Sequence, residues 1–264
     1  MSENLVTRLA ATVLALRDTS QGFEVLMLRR NLNSDFVGGA YVFPGGGVDP
    51  TDSTPEAAHR TWGADDAAAS QQLNLATGGL AFYVAALREL FEEAGLLVAR
   101  GLEGDALALK DRALRARLVE YRRMVNAKEL RFVDVLERES LFLDIGGVAY
   151  LAHWVTPLGA PRRFDTRFFV VMTPEGQTAT HDAGETVADR WLRPREALDA
   201  HGRGELVMIL PTIRTLESIA DYASAREVMS YARNLSTVPR VEPRLVRRAG
   251  ETQILLPGDP DYGD

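Results

Sequence analysis

The chain has 264 residues, 46% hydrophobic and 25% charged, enough for one large domain with elaborations and a sizeable core. It has no cysteine and only four histidines, which excludes disulfides, thiol nucleophiles, Cys-ligated zinc and a His-rich metal site, so any metal must be held by oxygens. A net charge of -7 argues against nucleic acid as the main partner. No stretch reaches 18 apolar residues and Met1–Asn4 lacks a basic leader, so no membrane span is expected and a cytoplasmic protein is.

Taken in chain order, Arg8 to Leu16 and Phe23 to Arg29 are β-rich runs on either side of the polar segment DTSQG, and they read as a hairpin. Ala40 to Phe43 reads as a third strand that runs into Pro44-Gly45-Gly46-Gly47, a loop whose glycines let backbone approach a phosphate or metal closely. Gly46 is followed after five residues by Asp52. The stretch 53–80 is Ala-rich and polar with Pro55 at a helix start, which predicts one or two short helices over the site; His59 and Trp62 read as packing residues.

The most informative segment is Arg88-Glu89-Leu90-Phe91-Glu92-Glu93-Ala94-Gly95-Leu96, inside a helix expected from about Phe82 to Leu97. Glu89, Glu92 and Glu93 stand at i, i+3 and i+4 and share one face, while Val84, Leu87, Leu90, Phe91 and Ala94 form an apolar stripe on the other. Three neighbouring carboxylates repel one another, and a bound cation would remove that penalty. Arg88 sits four residues before Glu92 and can hold one carboxylate, and Gly95 reads as the C-terminal stop. The plainer alternative is a solvated acidic surface helix.

From Asp105 to Leu143 the pattern is helical and charged, with Leu107, Leu114, Leu118, Tyr121 and Val125 as its apolar stripe; it reads as a helical cap that selects substrate or serves oligomerisation, with a homodimer expected. Ala149 to Thr156 and Phe164 to Met172 return to strand character. Alternation puts Arg163, Asp165 and Arg167 on one strand face, either as phosphate ligands or as an internal ion pair, and Arg29 and Arg30 pose the same choice. Ala188 to Leu192 is a further strand, and helices are expected at Pro194 to Ala200 and Pro211 to Tyr222. Two short β-like runs, Arg244 to Arg248 and Gln253 to Leu256, form a tail ribbon packed on the domain or on a partner subunit.

With these residues in view, the chain resembles the Nudix hydrolases, whose box reads G, five residues, E, seven residues, then R-E-U-x-E-E-x-G-U with U aliphatic. Arg88 to Leu96 matches the second half at every specified position. In the first half, Asp52 stands where the pattern has Glu, and positions 53 to 87 make a gap of 35 residues where seven are usual. An ungapped register places Leu80 and Asn74 at the Glu and Gly positions. With LRRNLNSDFVGGAYVFPGGGVD before it and WVTPLGAPRRFDTRFFVV after it, this split box looks like the branch containing peroxisomal coenzyme A diphosphatases, over roughly residues 8 to 222.

The resemblance implies an α/β class, a Nudix-type α/β/α sandwich with a mixed sheet plus a helical insertion or cap. It also implies Mg2+ or Mn2+ dependence and hydrolysis of a nucleoside diphosphate derivative, with coenzyme A or an acyl-coenzyme A suggested by the branch. The domain is expected over 1–235, with insertions at about 53–80 and 102–146, and the tail over 236–264. Carried over, Glu89, Glu92 and Glu93 are metal ligands with the Gly46 carbonyl beside them. Glu92, Glu93 and Arg88 join Glu185 in the catalytic set, Glu185 being the candidate general base from a polar loop before Trp191 or else a plain surface acid. Arg163, Arg167 and Arg30 are the candidate substrate residues, and Asp52 is expected to brace the loop rather than touch metal. The altered first half of the box leaves a second reading, a Nudix-fold module that binds a nucleotide without cutting it. The C-terminus Asp261-Tyr262-Gly263-Asp264 is not a Ser-Lys-Leu-type signal, so the location of the branch's peroxisomal members is not expected to carry over.

Overall fold

In the computed structural model, residues 6–32, 37–182, 184–248 and 251–263 are described; the expectations on Met1–Asn4 and on Asp264 lie outside them. The predicted hairpin forms as β1 (Arg8–Thr19) and β2 (Gly22–Arg30). β3 (Tyr41–Val42) pairs with β2, and the glycine run expected as a loop is itself a strand, β4 (Gly45–Gly47), antiparallel to β1. A Cβ at Gly45 would lie 2.5 Å from the Ala11 carbonyl and 2.7 Å from Thr12 Cα, so only glycine permits this pairing.

The insertion after the glycine strand holds α1 (Pro55–His59), capped by Thr54, then β5 (Thr61–Trp62) and α2 (Asp66–Gln72), capped by Asp65. Thus two short helices form, but they pack beside the next helix, α3 (Gly79–Ala94): Ser70 Oγ accepts from Gly79 N at 2.8 Å, and Asp66 accepts from Gly78 and Leu80. α3 begins three residues before the expected Phe82 and stops at Gly95, whose φ of 70° is the left-handed C-terminal geometry that glycine adopts readily. Its apolar residues, among them Leu87, Leu90 and Phe91, are fully buried, each contributing about 1.5–3 kcal/mol.

β6 (Ala99–Arg100) precedes the helical insertion, α4 (Arg112–Asn126) and α5 (Phe132–Arg138), which ends in β7 (Phe142–Asp144) rather than in helix. β5, β7 and β6 make a small three-stranded sheet. The predicted stripe is real: Leu118 and Val125 are buried, and Leu107, Leu114 and Tyr121 pack on the same core.

β8 (Val148–Val155), β9 (Phe164–Met172) and β10 (Thr186–Leu192) complete the central sheet, followed by α6 (Pro194–Gly202), α7 (Leu210–Ile219) and α8 (Ala225–Arg233), the last having no counterpart among the sequence expectations. The tail supplies β11 (Arg240–Val241), parallel to β8, and the hairpin β12 (Arg244–Arg248) with β13 (Glu251–Leu255). The sheet runs β10-β2-β1-β9-β8-β11 with β1 and β9 parallel and β1 and β2 antiparallel, a mixed sheet as expected. Alternation divides its two faces. Ala11, Val13, Phe169 and Val171 meet α3, while Leu14, Leu16, Phe168 and Val170 meet α6, α7 and α8, giving the α/β/α sandwich. Among the described residues no helix is long and apolar enough to cross a membrane.

Candidate active site

The site grows from the contact between α3 and β4. Arg88, 7% exposed, donates from Nε to Asp52 Oδ1 (2.8 Å) and from Nη2 to Asp52 Oδ2 (3.0 Å) and the Gly47 carbonyl (2.9 Å). Its Nη1 donates to Glu89 Oε1 (2.8 Å) and Glu92 Oε1 (3.2 Å). Burial opposes the charge of this guanidinium, but its bond to Asp52 and the charges of Glu89, Asp52 and Glu92 outweigh burial and raise its pKa. Asp52 is itself buried and accepts from Asp49 N, so it braces the turn that follows β4.

Glu93 Oε2 accepts from Gly45 N at 3.0 Å. Gly46 lies against Glu89, where a Cβ would fall 2.4 Å from Oε1. Burial, with a smaller contribution from Glu92, pushes the Glu89 carboxyl up to about 7 against the pull of Arg88. Burial and the Glu89 charge raise Glu93 well above the ordinary carboxylate range. Glu185, just before β10, raises both, and Arg30 at the end of β2 opposes the shift of Glu93. Lys128 lies 3.6 Å from Glu92, while Arg122 Nε (2.9 Å) and Asn126 Nδ2 (3.2 Å) donate to the Glu92 carbonyl, so the helical insertion closes the C-terminal end of α3.

In front of β4 opens a cleft of about 810 Å3, within the usual range for small-molecule sites. Its charged end is formed by Gly45, Gly46, Gly47, Arg30 and Glu185. Glu89, Glu92 and Glu93 do not line it: they lie behind the glycine strand. Nor do residues 53–80 or the helices of the 102–146 insertion, so neither insertion covers the cleft.

Arg163 and Arg167 are turned away from it. Arg167 is 5% exposed, pairs with Asp165, and stacks 5.0 Å from the Phe82 ring centroid; His153 Nε2 lies 2.8 Å from the same Asp165 oxygen. Arg163 pairs with Glu242 and donates to the Thr156 carbonyl at 3.1 Å. This is the internal ion-pair arrangement. The opposite, even-numbered face of β9, with Phe164, Thr166 and Phe168, lines the cleft together with Arg162. That alternation is legible in the sequence, but charge alone does not tell which face borders the cleft. Pro243 and Ile254 of the tail also line the cleft, and nothing local in their sequence signals it.

Among the described residues no three His, Asp or Glu side chains already converge as metal ligands. Arg88 draws Glu89 and Glu92 to its Nη1, and Gly45 holds Glu93. The donor set nonetheless fits a hard divalent cation: it is all oxygen, and the burial that lifts Glu89 and Glu93 above ordinary carboxylates is the condition a cation relieves.

A model described as the NUDT19 Nudix domain matches residues 54–219. The chain belongs to this family. A general NUDIX domain model matches residues 6–63, the part that carries β1 to β4. Human acyl-coenzyme A diphosphatase NUDT19 is 28% identical over 277 residues, spanning 92% of this chain and 73% of the relative, and the Gallus gallus protein of that name is 28% identical over 281 residues, spanning 91% and 74%. The crystal structure of a NUDIX hydrolase from Alicyclobacillus acidocaldarius superposes with a TM-score of 0.67 at 30% identity, covering 86% of this chain and 97% of that one. The chain is therefore a hydrolase of the Nudix superfamily, with the split box expected for this branch.

Proposed function

We propose that this Nudix hydrolase cuts the diphosphate bond of a nucleoside diphosphate derivative, with coenzyme A or an acyl-coenzyme A as substrate, in a reaction that requires Mg2+ or Mn2+. The observation that carries the reading is the juxtaposition of the buried Glu89 and Glu93 with the glycine strand at the charged end of the cleft. The acyl-coenzyme A diphosphatase activity for which the relatives are named supports the substrate.

Glu89, Glu92, Glu93 and the Gly46 carbonyl would hold the cation. When bound, it supplies charge neutralisation on the diphosphate and acidifies an attacking water. Arg88 orients Glu89 and Glu92 and ties α3 to Asp52 and β4. Glu185, at the cleft and within electrostatic reach of both buried carboxylates, takes the proton of the attacking water. Arg30 and Arg162, which line the cleft, receive anionic groups of the substrate, a role that the orientation of Arg163 and Arg167 leaves to them. Gly45 to Gly47 let the substrate approach the protein backbone without side-chain obstruction.

The test is hydrolysis of coenzyme A, acyl-coenzyme A, ADP-ribose, NADH, diadenosine polyphosphates and nucleoside triphosphates with Mg2+ or Mn2+, products identified by mass. Release of 3',5'-ADP with phosphopantetheine or its acyl form, and loss of at least about a hundredfold in kcat for Glu93→Gln, is the expected result. Tight binding of a panel member without turnover would replace this reading with that of a nucleotide-binding module.

A further inference from the structure

The floor of the cleft is a row of directly paired residues. Gly47 of β4 faces Ala10 of β1, Ala10 faces Thr166 of β9, and Thr166 faces Trp154 of β8, all four lining the cleft. Trp154 in turn faces Val241 of β11, the first strand of the tail. Three strand spacings separate the glycine strand from Trp154, roughly 14 Å, and a fourth reaches β11 at roughly 19 Å.

The two ends of this row differ in chemistry. Arg30, Glu185 and the glycines stand at one end, and Phe164, Pro243 and Ile254 contribute apolar surface beyond it, with Arg162 two residues before Phe164 as the charged group among them. Ile254 is 52% exposed, although it lines a cleft. Apolar surface left in this state gains by burial under a ligand.

A side-chain pin adds to the pairing of β11 with β8 in holding the tail at this end. Glu242, directly after β11, receives Arg163 from the loop before β9 and Arg240 Nη2 at 2.7 Å. Arg163 also donates from Nε to the Thr156 carbonyl at the end of β8, so a single guanidinium ties sheet edge to tail. Tyr262 Oη donates to the Glu242 carbonyl, and the Arg244 guanidinium stacks 4.4 Å from the Tyr262 ring centroid, which folds the last residues onto the same point. Pro243, next to this anchor, and Ile254 of β13 both line the cleft.

We propose that the hairpin β12–β13 is the specificity wall of the cleft, with Arg163 as the positioning residue that pins it. The wall selects nucleoside diphosphate derivatives whose leaving half carries an apolar arm reaching roughly 14–19 Å from the glycine strand. The proposal rests on the hydrolase reading above and goes beyond it in naming the element that reads the arm.

The test compares kcat/KM for coenzyme A and octanoyl-coenzyme A in wild type, Ile254→Asp, Arg163→Met and Arg163→Lys. Ile254→Asp changes an exposed residue, so the fold is retained while the wall becomes charged. It is expected to lower the octanoyl-to-free ratio about tenfold. Arg163→Met lowers the ratio in the same direction, and Arg163→Lys retains most of it. A general loss of stability would reduce both substrates alike and leave the ratio unmoved. An unchanged ratio in both Ile254→Asp and Arg163→Met overturns the wall and leaves the hydrolase reading standing. Wild type that turns over neither thioester nor free coenzyme A overturns the substrate reading instead, and hydrogen exchange then judges the wall. Stronger protection of amides 252–255 by octanoyl-coenzyme A than by coenzyme A supports it, and equal protection overturns it.

Discussion

Arg88 shows how much one side chain organises. Its bonds to Asp52, Gly47, Glu89 and Glu92 connect the turn after β4, the strand itself and two of the three helix carboxylates. The i, i+4 relation to Glu92 was legible from the helical period alone, whereas Asp52, 36 residues upstream, was expected only to brace its loop, and its pairing with Arg88 came from the fold. Glu89 makes a measurable prediction. Its carboxyl titrates near 7 in the metal-free fold against an ordinary value of 4.5. Between those values the folded state binds more protons at Glu89 than the unfolded one, so this group's contribution to stability is full below about pH 4.5 and is lost as pH rises through about 7. Chemical denaturation in EDTA should show this loss, at most about 1.4 kcal/mol per pH unit from this group, flattened in Glu89→Gln. Mg2+ should stabilise wild type more at pH 8 than at pH 5; equal stabilisation at both would argue against Glu89 as a ligand.

At the scale of elements, β4 and α3 form the site by close approach, and the two neighbouring glycines do different work. A Cβ at Gly45 meets backbone of β1, but a Cβ at Gly46 meets only the carboxylate end of Glu89, which can swing aside. Gly45→Ala should therefore cost stability, and Gly46→Ala should cost activity. Displacing a catalytic group by about 1 Å is worth about a hundredfold in rate, so Gly46→Ala is expected to lose about that factor in kcat with a melting temperature near that of wild type. The converse result, a large stability loss with kcat intact, would remove Gly46 from the proposed site. The helix around the three glutamates was readable from its 3.6-residue stripe and its Gly95 stop. The pairing of β4 was not: three consecutive glycines look like a loop until a partner strand is known, because pairing lies in the neighbour's backbone and not in the glycines' own side chains.

For the whole molecule, we propose the division at about residue 236, with the preceding residues folding as the Nudix domain. The tail adds β11 to the sheet edge and buries Leu255, so a chain ending at 235 should still unfold cooperatively, at a melting temperature lower by several degrees. Loss of the cooperative transition would instead make the tail part of the folding unit. Light scattering on the same two samples tests the expected homodimer and whether the tail serves it. The sequence by itself determined the reaction class and, through the resemblance that Arg88 to Leu96 carries, the mixed sandwich, because the box is a local pattern set by the period of one helix. Only the tertiary structure decided which face of β9 borders the cleft, that both insertions pack along α3 instead of over the cleft, and that Pro243 and Ile254 arrive at its far end. These are contacts between segments far apart in the chain, and they depend on how whole elements dock, which no local period encodes.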